Sequence, residues 1–345
     1  MPEPRVLKER IRPFDRQQPA APAPALPEVH RWTAKDLLDT DTLSRPDIEL
    51  IMETANAMAE VRSRPVGKVA TLRGATVVTL FYEQSTRTRA SFEVAAKALG
   101  ADVVNLTASG SSVEKGESLI DTVRTLEAIG ADIVVMRHGK SGAPYLAARN
   151  TRASVINGGD GTHAHPTQAL LDLYTMRSEI GPLAGKKVVI VGDIQHSRVA
   201  RSNLWTLLAE GANVVLSGPA TLLPRTLSGR ATLPGEDGSC SVTTDFDRAI
   251  EGADVVMALR IQKERQENGL IPSLREYITG YQVNRDRLNT AAPGVLVMHP
   301  GPMNEGVEIA PDIAHGVASV IERQVANGVA VRMAVLFLLA TARLP

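Results

Sequence analysis

Ala75-Thr-Val-Val-Thr-Leu-Phe-Tyr82 is a run of β-branched and apolar residues, and Ser85-Thr-Arg-Thr-Arg89 follows it closely. A continuous apolar run of this length is typical of a strand that is buried on both faces of a parallel sheet. A helical pattern follows at residues 91–99. The segment therefore predicts a strand–loop–helix unit of an α/β fold, with polar residues in the loop where the strand ends.

The same alternation of strands and helices repeats along the chain in two series, which predicts parallel, doubly wound sheets. The fold class predicted is α/β, with two doubly wound parallel-sheet domains and a C-terminal helix that returns to the first. Strands are predicted at 75–82, 102–106, 132–137, 154–157, 186–193, 213–217, 254–259 and 294–298, and helices at 48–62, 91–99, 118–129, 198–210, 246–251 and 316–343.

The 345 residues exceed the length of a typical single domain, so we expect more than one. Seven of the 21 prolines fall within the first 30 residues. Because proline removes amide donors and disfavours helix, residues 1–32 are predicted to be a flexible arm. We assign residues 33–168 with 317–345 to a first domain, and residues 169–316 to a second.

The chain carries 38 basic and 38 acidic residues, so no overall charge attracts it to nucleic acid or to an anionic membrane. Its single cysteine, Cys240, excludes an intrachain disulfide and a cysteine-based zinc site. The longest apolar run is too short to span a bilayer. We therefore expect a cytoplasmic protein without nucleic-acid or membrane partners.

Ser85-Thr-Arg-Thr-Arg89 has the composition of an anion site. Helix N-termini expose unpaired N–H groups at the positive end of the helix dipole, and the hydroxyls and arginines add further donors. A phosphate dianion fits this segment better than a simple helix cap with solvated arginines.

Four segments together resemble the aspartate and ornithine carbamoyltransferase superfamily. The first is Phe81–Glu93, and the other three follow it in the family's order. They are Met136-Arg-His138, His165-Pro-Thr-Gln168, and Val191-Gly-Asp193 with Arg198. The similarity as a whole runs from about Thr33 to the end of the chain. The resemblance implies carbamoyl transfer from carbamoyl phosphate to an amine, with no protein nucleophile, no metal and no organic cofactor.

The resemblance also implies roles for individual residues. Thr88, Arg137 and His165 would polarise the carbonyl group of carbamoyl phosphate. Gln168 would lie near its carbamoyl amide. The residues implied to bind carbamoyl phosphate are Ser85, Thr86, Arg87, Thr88, Arg137, His165, Gln168, Pro300 and Gly301.

The polar loop 109–117 resembles the family's mobile loop, whose serine and lysine reach the site of a neighbouring subunit. Alignment on Lys115 places that serine at Ser111, with Ser112 as the adjacent alternative. The resemblance thus implies a homotrimer with shared active sites. Regulatory or dihydroorotase chains as further partners stay open.

The second half of the chain favours aspartate as the acceptor, and hence the committed step of pyrimidine biosynthesis. Aspartate has two carboxylates and needs additional cationic donors, which would repel the second amine of ornithine. The aspartate-type pattern assigns Arg198 to the α-carboxylate, and Arg260, Gln262 and Lys115 to the side-chain carboxylate.

Other readings are less well supported by the residues. Ornithine enzymes typically carry a cysteine where this chain has His299-Pro-Gly-Pro302. Glu305 stands where related sequences often have arginine, which weakens the inference that this loop adds positive charge to the site. Val188–Asp193 lacks the further glycines of a dinucleotide fingerprint. A different amine acceptor, a silent homologue acting as a scaffold and a simple anion-binding protein remain as alternatives.

Overall fold

Two parallel β-sheets form the framework of the protein. The computed structural model describes residues 30–107, 117–224, 238–261 and 273–343. Most of the predicted arm, residues 1–29, lies outside them. Trp32, at the end of the predicted arm, is buried, and its indole N–H donates to the carbonyl of Ala34 at 2.8 Å.

The first sheet has the strand order β2-β1-β3-β4, and every pairing in it is parallel. Strand β1 is almost wholly buried, as its apolar run predicts. In chain order the elements are α1 (Arg45–Ser63), β1 (Thr76–Phe81), α2 (Thr86–Ala98), β2 (Asp102–Thr107), α3 (Leu119–Ala128), β3 (Ile133–His138), α4 (Ala143–Ala148) and β4 (Ser154–Asp160).

The second sheet has the order β7-β6-β5-β8-β9, also entirely parallel. Helix α5 (Pro166–Ile180) leads into it. Its further elements are β5 (Lys187–Val191), α6 (Arg198–Ala209), β6 (Asn213–Ser217), a 3₁₀ turn (Ala220–Leu222), β7 (Ser239–Thr243), α7 (Phe246–Ile250), β8 (Val255–Ala258), α8 (Leu274–Tyr281), α9 (Arg285–Leu288), β9 (Leu296–Met298) and α10 (Pro311–Ala314).

The last helix, α11 (Ile321–Thr341), returns to the first sheet and packs against α1, α2 and α5. By length and composition alone it could cross a membrane, but most of it is buried inside the protein. Its apolar character is therefore that of a core helix. The predicted fold class, including the returning helix, is confirmed.

The strand orders determine where ligands can bind. Strand β1 lies between β2 and β3, and β5 lies between β6 and β8, so each sheet reverses its winding at these strands. Open α/β sheets bind ligands in the crevice at the carboxyl ends of the strands beside such a reversal. The loops after β1, β3, β5 and β8 are therefore the expected places for functional side chains.

Candidate active site

A cavity of about 820 Å³ lies where the carboxyl ends of the two sheets come together. Its walls come from the loops after β1, β4, β5, β8 and β9, from the end of β3, and from α11. Its polar lining includes Glu83, Gln84, Ser85, Thr86, Arg87, Thr88, Ser91, Arg137, His165, Gln168, Ser197, Arg198, Arg260, His299, Gln324 and Arg332.

The start of α2 supplies one end of the cavity. Ser85 is the N-cap residue in an extended conformation, and its hydroxyl makes no capping hydrogen bond. The helix has no acidic residue in its first turn, so its positive end is not neutralised locally. Arg87 is exposed and Thr88 is buried. This end of the cavity is suited to an anion.

Glu83 joins two arginines, Arg137 near the end of β3 and Arg198 at the start of α6. Its carboxylate accepts from Arg137 Nη2 at 3.2 Å and from both Nη atoms of Arg198 at 3.0 Å. Arg137 also donates to the carbonyl of Gly158, and Arg198 to that of Gly161. Both guanidinium groups are therefore fixed in orientation before a ligand enters, and charge-assisted bonds of this kind are among the strongest in proteins.

Gly159 allows these two guanidinium groups to approach the end of β4. Its φ is +116°, and a Cβ atom added there would lie 3.0 Å from Arg137 Nη1 and 3.1 Å from Arg198 Nε. The predicted strand 154–157 in fact continues through this glycine to Asp160, and all its residues are buried. The glycine-rich segment therefore packs against the two arginines that line the cavity.

His165 is the N-cap residue of α5, with Pro166 in the first turn. It is 4% exposed, and its backbone N–H donates to Ser202 Oγ at 2.9 Å. Burial, and then the nearby Arg137 and Arg198, hold the pKa of His165 well below its ordinary value of 6.5. Its Nδ1 atom is buried and bonded to none of the described residues. The imidazole is therefore neutral at pH 7 and keeps hydrogen-bonding capacity for a ligand.

The loop after β9 closes another side of the cavity. His299 is buried and accepts from the backbone N–H of Gly301 at 2.8 Å through Nδ1, so its Nε2 carries the proton. That nitrogen faces Glu308 Oε1 at 3.2 Å, and the same oxygen accepts from the N–H of Asn304. This buried pair braces the loop. Pro300 and Gly301 line the cavity.

Among the residues that the structure describes, no group of three or more histidine, cysteine, aspartate or glutamate side chains is arranged to hold a metal ion.

Two family models together match most of the chain. The carbamoyl-phosphate binding domain of the aspartate/ornithine carbamoyltransferases matches residues 35–178. The aspartate/ornithine binding domain matches residues 184–339.

The chain belongs to the aspartate/ornithine carbamoyltransferase family.

Relatives within this carbamoyltransferase family are close in sequence. The aspartate carbamoyltransferase catalytic subunit of Roseiflexus sp. (strain RS-1) is 59% identical over 314 residues, which cover 91% of this chain and 98% of the relative. The protein of the same name from Dehalococcoides mccartyi (strain CBDB1) is 53% identical over 320 residues, covering 93% of this chain and 96% of the relative.

Solved carbamoyltransferase structures share the fold. A Trypanosoma cruzi aspartate transcarbamoylase in complex with carbamoyl phosphate and aspartate is 30% identical, with a TM-score of 0.79 over 90% of this chain and 99% of that one. An ornithine carbamoyltransferase from Pyrococcus furiosus, also 30% identical, has a TM-score of 0.82 over 90% and 98%. Since an aspartate enzyme and an ornithine enzyme resemble this chain about equally well in structure, the fold alone does not identify the amine that accepts the carbamoyl group.

Most of the residues predicted from the sequence line this one cavity of the carbamoyltransferase. They are Ser85, Thr86, Arg87, Thr88, Arg137, His165, Gln168, Arg198, Arg260, Pro300 and Gly301. Ser111, Lys115 and Gln262, with the alternative Ser112, lie outside the described residues.

The cavity residues that sequence reasoning missed include Glu83, Gln324 and Arg332. Glu83 lies inside the quoted motif, but its partners Arg137 and Arg198 are distant in sequence, so the motif carried no signal of these contacts. Arg332 interrupts the apolar pattern of α11 and is 4% exposed. A charged residue in an otherwise apolar helix was the available signal. Gln324 carried no signal of its own.

Proposed function

We propose that this chain is an aspartate carbamoyltransferase catalytic chain, which transfers the carbamoyl group of carbamoyl phosphate to the amine of L-aspartate and releases phosphate. The observation that carries the proposal is a single cavity that combines a helix start suited to an anion with two fixed arginines, one at the end of β3 and one at the start of α6. The Trypanosoma cruzi relative that binds carbamoyl phosphate and aspartate adds support.

Carbamoyl phosphate binds through its phosphate at the start of α2. The hydroxyls of Ser85, Thr86 and Thr88, the first-turn N–H groups and Arg87 provide donors there. Pro300 and Gly301 also line the cavity, and Gly301 lies close to the Arg87 guanidinium. The helix end and the arginine side chain hold the negative charge without an overall positive charge on the chain.

The carbonyl group is polarised by Thr88, Arg137 and His165. Negative charge develops on the carbonyl oxygen as the amine attacks, and donors fixed beforehand stabilise it at little reorganisation cost. The contacts of Arg137 with Glu83 and Gly158 supply this rigidity. A neutral His165 can donate an N–H to the same oxygen.

Aspartate is held by Arg198 and Arg260. Gln262 and Lys115 complete the group of residues that bind its carboxylates. Arg198 uses part of its guanidinium donor set on Glu83 and Gly161, and the remaining N–H groups suit a ligand carboxylate. The neutral amine attacks the carbonyl carbon, the bond to phosphate oxygen breaks, and the departing phosphate accepts the proton. Orienting two reactants in this way can lower a barrier by roughly 7–11 kcal/mol.

The proposal is tested by incubating the purified chain with carbamoyl phosphate and either L-aspartate or L-ornithine and identifying the product. We expect formation of N-carbamoyl-L-aspartate and little product from ornithine, because the second amine of ornithine would face Arg198 and Arg260. Product from ornithine alone would overturn the acceptor assignment. No product from either amine, from a folded chain, would contradict the catalytic role.

The assembly and location form part of the same proposal. We infer a homotrimer in the cytoplasm, with Ser111 and Lys115 of one subunit completing the site of the next. The two-domain division at residues 33–168 with 317–345 and 169–316 is proposed with it. Light scattering of the pure chain measures the mass of the assembly, and an active monomer would exclude the shared site.

Gly301→Ala is expected to weaken carbamoyl-phosphate binding about three- to tenfold. Gly301 has φ +64°, which costs other residues about 1–2 kcal/mol. An added Cβ would lie 2.8 Å from Arg87 Nη1 and would push the guanidinium aside. The KM for carbamoyl phosphate measures the effect. Gly74→Ala is the matched control, because its φ is +86° and nothing lies near an added Cβ. An equal change in KM for both variants would exclude the steric reason.

A further inference from the structure

Asp172 lies in the protein interior behind the cavity, one turn after Gln168 on α5. It is fully buried, and burial raises its pKa to about 6. Burying a carboxylate is costly unless hydrogen bonds compensate it. The protein tolerates this cost at a position that the proposed mechanism does not use.

Three side-chain amides converge on this carboxylate. Oδ1 accepts from Gln168 Nε2 at 2.9 Å and from Gln324 Nε2 at 2.8 Å. Oδ2 accepts from Asn203 Nδ2 at 2.9 Å. The nearby Arg332 guanidinium opposes the rise in the pKa of Asp172. The three amides come from three different helices, α5, α11 and α6, so Asp172 ties together elements that carry the cavity wall.

These bonds determine which way the Gln168 amide points. A carboxylate only accepts, so it binds the NH₂ end of the amide, and the carbonyl oxygen is the end left for the cavity that Gln168 lines. Carbamoyl phosphate has a single donor group on its carbamoyl carbon, the NH₂. Most of the other polar side chains that line the cavity are donors. With its NH₂ end held by Asp172, Gln168 supplies the side-chain oxygen that can accept a hydrogen bond from this NH₂.

The second amide extends the influence of Asp172 to the loop after β9. Gln324 donates to Asp172 through Nε2, and its Oε1 accepts from the backbone N–H of His299 at 3.0 Å. His299 is the residue immediately before Pro300 and Gly301, which line the cavity. The same acceptor thus orients a side chain on one wall and the start of a backbone loop on another.

We propose that Asp172 is a positioning residue that turns the Gln168 carbonyl oxygen toward the NH₂ of carbamoyl phosphate and so makes the site select a carbamoyl over an acyl group. The inference rests on the proposed function. It concerns selectivity at one substituent, so the quantity that tests it is the ratio of two affinities, in which a change in phosphate binding cancels.

Acetyl phosphate tests the proposal, because it replaces only the NH₂ with a methyl group. We measure the dissociation constants of carbamoyl phosphate and acetyl phosphate by calorimetry for the wild type and for Asp172→Leu, which removes both acceptor oxygens. The wild type should prefer carbamoyl phosphate, and this preference should fall about tenfold in the variant. General damage to the site would weaken both ligands equally and leave the ratio unchanged.

Asp172→Asn is the matched conservative variant. Asparagine keeps one oxygen for Gln168 and Gln324, and Asn203 can turn its amide to accept from the new NH₂. The preference should therefore be largely retained. If Asp172→Leu does not fold, Asp172→Ser replaces it, because the water that it admits can bond to either end of the amide and does not fix its direction.

The outcomes separate the two proposals. Failure of the wild type to bind carbamoyl phosphate would overturn the proposed function. Wild-type binding without a preference over acetyl phosphate, or a preference that Asp172→Leu or Asp172→Ser leaves intact, would overturn the role of Asp172 alone. So would an equal loss in Asp172→Asn, since that variant keeps the acceptor.

Discussion

Replacing His165 with alanine is expected to lower turnover by about two to three orders of magnitude, the usual effect of removing one oxyanion donor. Burial and the neighbouring arginines keep this imidazole neutral, so it acts through an N–H donated to the carbonyl oxygen. That bond strengthens as negative charge develops. The affinity for carbamoyl phosphate should change only a few-fold, because the phosphate contacts at the start of α2 remain.

To test this, kcat and KM are measured for His165→Ala and compared with those of the control variant His163→Ala. His163 lies two residues earlier, is partly exposed, and pairs with Asp160 and Asp39 outside the cavity. Its removal should leave turnover near that of the wild type. Because protonation of His165 occurs only well below pH 6.5, wild-type turnover should show no transition at that pH from this residue. Equal losses in both variants would contradict the donor role.

Replacing Arg87 with alanine is expected to raise the dissociation constant of carbamoyl phosphate roughly 10- to 100-fold, the effect of one lost hydrogen bond to a charged group. Arg87 is exposed at the start of α2, so the variant should unfold at nearly the same temperature as the wild type. Binding measured by calorimetry and unfolding measured by circular dichroism separate affinity from stability.

Arg89→Ala provides the control for charge. It removes one positive charge from the same helix, but Arg89 does not line the cavity. Its effect on carbamoyl-phosphate affinity should be small. If Arg87→Ala and Arg89→Ala weakened binding equally, the general field of the helix would explain the effect and a direct phosphate contact by Arg87 would be excluded.

Local patterns predicted the strands next to the cavity well, because buried parallel strands are continuous apolar runs. Strand β7 was not predicted: Ser239-Cys-Ser-Val-Thr243 is short and mostly polar, as suits a strand at the edge of a sheet. The predicted helix at residues 91–99 begins earlier, at Thr86, so the anion motif itself forms the first turn. Capping at Ser44 similarly starts α1 before the predicted residue 48.

The candidate site was predictable where a single segment carries its chemistry, as at Ser85–Thr88 and His165. It was not predictable where function depends on contacts between distant segments. Glu83 lies 115 residues from its partner Arg198, and Gln324 lies 152 residues from Asp172. No local period or spacing encodes such pairs, and only the folded chain reveals them.

The returning helix α11 has a consequence for the order of events during synthesis. It fills the space against α1 and α2, so the first sheet's core is completed by residues 321–341. The amino-terminal half leaves the ribosome early, yet its apolar surface is covered only once residues 321–341 have emerged. The newly made amino-terminal half must therefore wait in a partly folded state, in which chaperones can bind it and it is most exposed to aggregation.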